Sequence, residues 1–315
     1  MSRSSYERIN YSLRPAKCAE RKMLCDGLRP LQRLRTLKSF RYIGFGSTYF
    51  SDFILFHKHL GLENLVSIEK DRKNSPRFEF NKPFGYIKLK YGKSGEVLPT
   101  LDWNNAPTIA WFDYDNRLTA DVLADTSYFI SNASVPSVLI LTVNVDPEPP
   151  DVSAVDRNKS RLESEVGIEK VPADVTEKDL EGWGLAKTSY RIIANEIADK
   201  VAALNGGAAN RLLFKQLFHF HYSDGAKMLT VGGLLYDEGQ DPDVASCSFD
   251  RLDFVRGGAE PYALRIPSLT FREMRKIDEK LPARRTPRFV SIPIEDIKQY
   301  IRIYKYFPTF AETEL

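Results

Sequence analysis

Apolar and polar positions alternate along this chain in two distinct rhythms. After Pro15, the residues Met23, Leu24, Leu28, Leu31, Leu34 and Leu37 recur at spacings of one, three and four, which predicts a helix over 15–38 that Pro30 breaks or kinks. A short apolar run at Arg41–Phe45 then reads as a strand, followed by a glycine turn and a helix near Thr48–Leu60. Further strands are expected at LENLVSIEKD, ending in Glu69, at Gly85–Tyr91, and at PTIAWFDYDN, where Ile109, Ala110, Trp111 and Phe112 lead into Asp113. SVLILTVNV (Ser137–Val145) is an unbroken β-rich run, as expected of a strand buried on both faces of a parallel sheet. Residues 119–130 suit a crossover helix between the last two strands. Strand, crossover and strand at this spacing predict a doubly wound α/β domain.

The rhythm changes after Val145. DPEPPD and the charged stretch to about Lys178 read as an insertion containing one short helix. A helix is predicted at Ala186–Leu204, with Tyr190, Ile193, Ile197, Val201 and Leu204 on one face. Two β-rich runs, LLFKQLFHFHY and KMLTVGGLLYD, flank SDGA and predict a hairpin turning at Asp-Gly. Helices are expected at Leu269–Leu281 and Ile294–Tyr304, before a terminal aromatic cluster of Tyr304, Tyr306, Phe307 and Phe310. The organisation is thus a basic N-terminal helical segment (1–40), an α/β domain (41–240) with an insertion at 146–180, and a C-terminal helical extension (241–315). No period of 20–50 residues recurs, which excludes a repeat array.

With 43% hydrophobic and 28% charged residues, this is the composition of a globular domain with a sizeable core. No apolar run is long enough to span a bilayer, and the polar N-terminus has no signal-peptide core, so a cytoplasmic protein without membrane contact is expected. The three cysteines, Cys18, Cys25 and Cys247, form no CxxC pair and read as packing residues in a reducing setting. The net charge of +3 conceals an uneven distribution. Met1–Arg41 holds eleven Lys/Arg against three acidic residues, and Arg272–Lys305 holds ten against five, while Asp146–Asp179 is acidic. Two basic ends suit either a phosphate-bearing partner or solvated helix surfaces.

The turn Gly44-Phe45-Gly46-Ser47 admits three ligand readings. A dinucleotide site needs G-x-G-x-x-G, and its third glycine is here Tyr49. A P-loop needs a following Gly-Lys-Ser/Thr, which is missing. S-adenosylmethionine (SAM) has no pyrophosphate. It needs close backbone approach at two glycines and a carboxylate for its ribose, and Glu69 ends the second strand 25 residues after Gly44.

Taken together, YIGFGS, SIEKD, WFDYDN and the final hairpin resemble the class I SAM-dependent methyltransferases over about residues 40–237. The resemblance implies a Rossmann-like methyltransferase fold, a mostly parallel sheet with an antiparallel final hairpin flanked by helices. It also implies that Gly44, Phe45, Gly46, Ser47, Glu69 and Asp113 hold the cofactor, with Asp113 and its neighbours also facing the reacting centre. The chain departs from the family's pattern in three places. Tyr42 stands where the first motif usually carries an acidic residue, Thr48 replaces a small residue, and DYDN lacks the prolines of amino-group DNA methyltransferases.

Methyl transfer asks an enzyme to position an acceptor and, where needed, to remove its proton. Asp113 and Asp115 are the candidate bases, and Tyr114 the residue that orients an acceptor or lines the pocket. The alternative for Asp115-Asn116 is a turn that caps the next helix. Arg14, Lys17, Arg21 and Lys22, clustered near one end of the first helix, are candidates to bind phosphate or the cofactor's carboxylate. His57 and His59 point in different directions from one helix and read as structural. His219 and His221 share one strand face, but no metal-ligating partner stands at a recognisable spacing, so no metal is expected. Two functions follow from these readings. One is a SAM-dependent methyltransferase with a nucleic-acid or nucleotide acceptor. The other is a non-catalytic methyltransferase-fold subunit or nucleotide-binding module that meets a protein partner through its C-terminal extension.

Overall fold

The computed structural model describes residues 14–147, 157–207 and 210–308. Helix α1 (Pro15–Leu28) leads into β1 (Arg41–Gly44), α2 (Ser51–Leu60), β2 (Asn64–Glu69), α3 (Ser75–Asn81), β3 (Ile87–Tyr91) and the short α4 (Ser94–Val97). Next come β4 (Thr108–Arg117), α5 (Ala120–Asn132), β5 (Ser137–Asn144), α6 (Arg157–Val166) and α7 (Gly184–Asn205). The chain continues through β6 (Leu212–Ser223), β7 (Lys227–Asp237), α8 (Asp241–Ser246), β8 (Tyr262–Ala263), α9 (Phe271–Asp278) and α10 (Ile294–Ile303).

The strands form one eight-stranded sheet in the order β3-β2-β1-β4-β5-β7-β6-β8. The first five are parallel, β7 pairs antiparallel with both β5 and β6, and β8 lies parallel to β6. This is the mostly parallel sheet with an antiparallel final hairpin that the resemblance implies. The two-residue β8 adds an edge strand that no apolar alternation announces.

Each sheet face buries its own core. On one face, Ala16, Ala19 and Met23 of α1 and Phe53, Phe56 and Leu60 of α2 pack against Tyr42, Trp111, Ile140, Phe218 and Phe220. On the other, Val122 and Phe129 of α5 and Ile192, Ile193 and Ile197 of α7 pack against Ile43, Ala110, Phe112, Leu139 and Leu141. The alternation Trp111/Phe112 sends successive side chains to opposite cores, as strand pleating requires. A smaller cluster of Ile277, Ile292, Ile297 and Tyr300 holds α9 and α10 together.

The expected helix over 15–38 ends at Leu28. Pro30 removes an amide donor, and the chain continues as two 3-10 turns, Arg29–Arg33 and Leu37–Ser39. The alternative reading of Asp115-Asn116 as a helix-capping turn does not hold. Strand β4 runs on to Arg117 through a register shift, and α5 is capped by Thr119, whose side chain accepts from the Val122 N–H at 3.4 Å. The cysteines are unpaired, with Cys25 and Cys247 buried. Phe310 of the terminal aromatic cluster lies outside the described residues, as do residues 148–156 of the insertion.

Candidate active site at the carboxyl edge of the sheet

The sheet order reverses between β1 and β4, and open α/β sheets bind ligands outside the carboxyl ends of strands at such a switch. Gly44 lies in register with Ser67 of β2 and Trp111 of β4. Glu69 and Asp113, each two residues further on, therefore flank the turn that leaves β1.

The turn is held from beneath by β2. The Gly46 N–H donates to Ser67 Oγ at 2.9 Å, and that hydroxyl donates to Glu69 Oε1 at 2.6 Å. The backbone N–H groups of Gly46 and Ser47 also favour the ionised Glu69, yet burial outweighs them and pushes its carboxyl up to about 7. The glycines make room for the protein's own side chains. A Cβ on Gly46 would stand 2.5 Å from the Phe50 ring and 2.6 Å from Ser67 Oγ, and one on Gly44 would meet the Tyr42 hydroxyl at 2.5 Å. Ser47 and Phe50 adopt positive φ values of 50° and 46°. Such conformations are costly away from glycine and are held here by tight packing around a fully buried Phe50.

Tyr42 occupies the place where an acidic residue was expected, and its hydroxyl donates to Asp52 Oδ2 on α2. A carboxylate thus reaches this region from the helix instead of the strand. Burial raises the Asp52 carboxyl, opposed by the Tyr42 hydrogen bond and by the nearby Arg21 charge. Nothing in the strand pattern marks Asp52. Its one signal is its position in the first turn of the helix after the glycines.

Asp113 is a quarter exposed near the carboxyl end of β4. Its Oδ1 accepts from Lys17 Nζ at 2.7 Å, from a lysine whose side chain is 1% exposed. The same ammonium lies 2.8 Å from Glu20 Oε2, donates to the Tyr222 hydroxyl at 3.1 Å, and sits 4.5 Å from the centre of the Trp111 ring. Tyr222 donates to Glu20 Oε2 at 3.0 Å, and the Thr230 hydroxyl donates to Glu20 Oε1. Thr230 in turn pairs with Thr142, which accepts from Trp111 Nε1 at 2.9 Å. The buried members, Lys17, Glu20, Tyr222 and Thr230, all have partners, as a buried charge pair requires.

The other expected site residues are dispersed. Tyr114 projects to the opposite face, where its hydroxyl donates to Asp125 Oδ2 at 2.6 Å; burial and that carboxylate raise its phenol well above the usual range. Phe45 packs edge-on against Tyr114 at 5.2 Å between ring centres. Asp115 is exposed beyond the crevice. The four basic residues of α1 do not share a solvent-facing patch. Lys17 and Arg21 are buried, Arg14 Nε lies 4.0 Å from Asp224, and Lys22 Nζ donates to the Phe307 carbonyl at 3.0 Å near the C-terminus. Most of α1 is buried because the helix packs across the sheet.

Three of the histidines pack against neighbouring groups, while His59 is exposed. His57 Nδ1 lies 2.9 Å from the Leu62 carbonyl oxygen. His219 stacks on Tyr190 and His221 on Trp183, with ring centres 4.2 and 5.0 Å apart. Among the described residues, no group of three or more His, Cys, Asp or Glu side chains is placed to hold a metal ion. Among them, too, no helix is long and apolar enough to cross a membrane.

A model of the family described as "Putative O-methyltransferase" matches residues 9–315. Among solved structures, Trm1 from Pyrococcus horikoshii with S-adenosyl-L-methionine is 11% identical, covering 97% of this chain and 79% of that one with a TM-score of 0.50. Cofactor-bound Rv0187 from MTB is 14% identical over 68% of this chain and 78% of that one, with a TM-score of 0.38. An O-methyltransferase from Bacillus cereus in complex with SAH is 14% identical, with coverages of 67% and 80% and a TM-score of 0.36. The likeness to Trm1 extends to nearly the whole chain and concerns the fold. No curated protein matches the sequence.

Proposed function

The chain belongs to this O-methyltransferase family, and from that premise we propose that it binds SAM in the crevice between β1, β2 and β4 and methylates an oxygen acceptor there. The observation that carries the proposal is the charge arrangement around the glycine turn. Glu69, Asp52 and Asp113 are three carboxylates near enough to influence one another or the groups between them. A sulfonium ligand with an amino group is positively charged where a dinucleotide presents a pyrophosphate, so a group of carboxylates suits the first better than the second. The turn amides that a pyrophosphate would need are already directed at Ser67 and Glu69.

The residues present fit the cofactor. Glu69 is a buried carboxylate at a strand end whose ionised form is held by only part of the hydrogen bonding it can accept, and two ribose hydroxyls would complete it. Gly44, Phe45, Gly46 and Ser47 would form the floor beside it. When bound, SAM supplies an electrophilic methyl group for in-line displacement. Asp113 Oδ2 makes no hydrogen bond among the described residues, while Oδ1 is engaged by Lys17. Oδ2 is therefore the atom that would face the bound cofactor and, beside it, take the acceptor's proton or orient the acceptor hydroxyl. Tyr114, tied to Asp125, would act through the wall of the site, and Asp115 would contact the acceptor from outside.

A nucleic-acid or nucleotide acceptor is supported by one further feature, the loop between α9 and α10. Arg284, Arg285 and Arg288 are all exposed there beside a fully exposed Val290. This loop also gives a protein partner a place to dock on the C-terminal extension.

The test is calorimetric titration with SAM and, in parallel, NAD. Micromolar SAM binding, no NAD binding, and loss of SAM binding in Glu69→Ala are expected. A folded wild-type protein that binds neither would overturn the proposal and favour a non-catalytic subunit.

A further inference from the structure

Lys17 comes from the helix before the first strand, yet it ends inside the sheet's carboxyl edge. Two independent anchors place it there. Asp224, in the turn between β6 and β7, accepts from the backbone N–H groups of Ala16 and Lys17 at 3.2 and 2.8 Å, which fixes the start of α1. Beyond that start, the ammonium is fixed by Asp113, Glu20 and Tyr222 at 2.7, 2.8 and 3.1 Å. Three donors thus meet three acceptors, and the Trp111 ring covers the remaining side.

A buried cation of this kind costs several kcal/mol of desolvation, and a hydrophobic replacement of similar volume is often no less stable. Stability alone therefore gives a weak account of Lys17. Its contacts differ in one informative respect. Glu20 is fully buried and fully satisfied, whereas Asp113 is a quarter exposed and keeps one oxygen for the crevice. Glu20 offsets the charge of Lys17 from behind, and Lys17 fixes the carboxylate in front.

We infer that Lys17 is a positioning residue that orients Asp113 toward the ligand, so that α1 is an integral part of the active site. This rests on the reading of the crevice as the SAM site. By holding Oδ1, Lys17 fixes the carboxylate plane and leaves Oδ2 as the atom offered to the ligand. Glu20, Tyr222 and Thr230 make up the support behind it, so the antiparallel hairpin β6–β7 takes part in the site through a shared hydrogen-bond network.

The experiment compares SAM affinity and thermal unfolding in the full chain for wild type, Asp113→Asn, the charge-balanced pair Lys17→Met/Glu20→Gln, and the triple variant. Asp113→Asn and the balanced pair are each expected to weaken SAM binding about tenfold, and the triple variant to be no weaker than either, because both changes disable one unit. A folded pair that binds SAM as wild type does, or losses that multiply in the triple variant, would show that Lys17 is only a core ion pair. A measurement on the unmodified protein covers the case in which the pair fails to fold. The slowly exchanging Lys17 ammonium signal, observed by lysine-selective nitrogen NMR, should move on titration with SAM, and indifference at saturating SAM overturns the inference. Wild-type protein that binds no SAM would overturn the crevice reading itself, whereas SAM binding without coupling would overturn this inference alone.

Discussion

Ser67 Oγ lies 2.6 Å from Glu69 Oε1 and at the same time accepts the Gly46 N–H at 2.9 Å, so one hydroxyl joins the acid of β2 to the turn after β1. Replacing it affects both partners. In Ser67→Ala, the Gly46 amide and one Glu69 oxygen lose a buried partner, which costs about 1–3 kcal/mol. SAM affinity should fall about tenfold, since the turn and the carboxylate lose their common reference. Chemical denaturation with parallel calorimetry checks this. Wild-type affinity in Ser67→Ala would mean that the hydroxyl does not organise the site.

Glu69 makes cofactor binding dependent on pH. Its carboxyl titrates near 7 in the folded protein, because burial outweighs its hydrogen bonds. If ribose hydroxyls donate to the ionised form, binding must expel the proton below that value. SAM affinity should then rise with pH and level off above 7, being about tenfold weaker at pH 6 than at pH 8. The same titration in Glu69→Gln should be weak and flat. A pH-independent wild-type affinity would remove Glu69 from the ligand's contacts.

The folding equilibrium carries the opposite sign at the same residue. A folded carboxyl raised from 4.5 to about 7 contributes stability that is complete below 4.5 and lost as pH rises through 7. Glu69→Gln should cancel that component, which amounts to about 1.4 kcal/mol per pH unit between the two values. Urea midpoints of the two proteins across pH 5–8 should diverge as the pH rises.

His221 and His219 oppose this at acid pH. Burial lowers both imidazoles, His221 to about 4, and their Nε2 atoms have no partner among the described residues. A depressed imidazole contributes stability that is present above 6.5 and lost as pH falls toward 4. His221 should contribute a slope of about 1.4 kcal/mol per pH unit in that window, and His219 a contribution of the same sign. His221→Phe keeps the ring stacked on Trp183 and should flatten the acid limb without lowering stability at pH 7. Unchanged acid sensitivity would show that other groups govern it.

Gly46 tests the packing of the turn. A methyl group there would lie 2.5 Å from Phe50 and 2.6 Å from Ser67 Oγ, against a fully buried ring that cannot withdraw. Gly46→Ala should lose about 1–3 kcal/mol of stability. Gly85→Ala, with nothing within 4 Å of the added carbon, should stay near wild type in both stability and SAM binding.

By itself the sequence determined the sheet and its ligand edge. Unbroken β-rich runs such as Ser137–Val145, the Asp-Gly hairpin, Glu69 at the end of β2 and Asp113 in β4 are local signals, because strand burial and turn geometry are set by neighbours in the chain. What the basic residues of α1 do was decided by tertiary structure alone. Lys17 is 96 residues from Asp113 and 205 from Tyr222, and no periodicity encodes such a meeting. Read along the helix, it joins a cationic cluster, but across the folded sheet its ammonium lies between Asp113 and Glu20. The substitution of Asp52 for the acid missing at Tyr42 is hidden for the same reason. A carboxylate's position in space depends on how α2 packs on β1, and the sequence position of either residue carries no record of that packing.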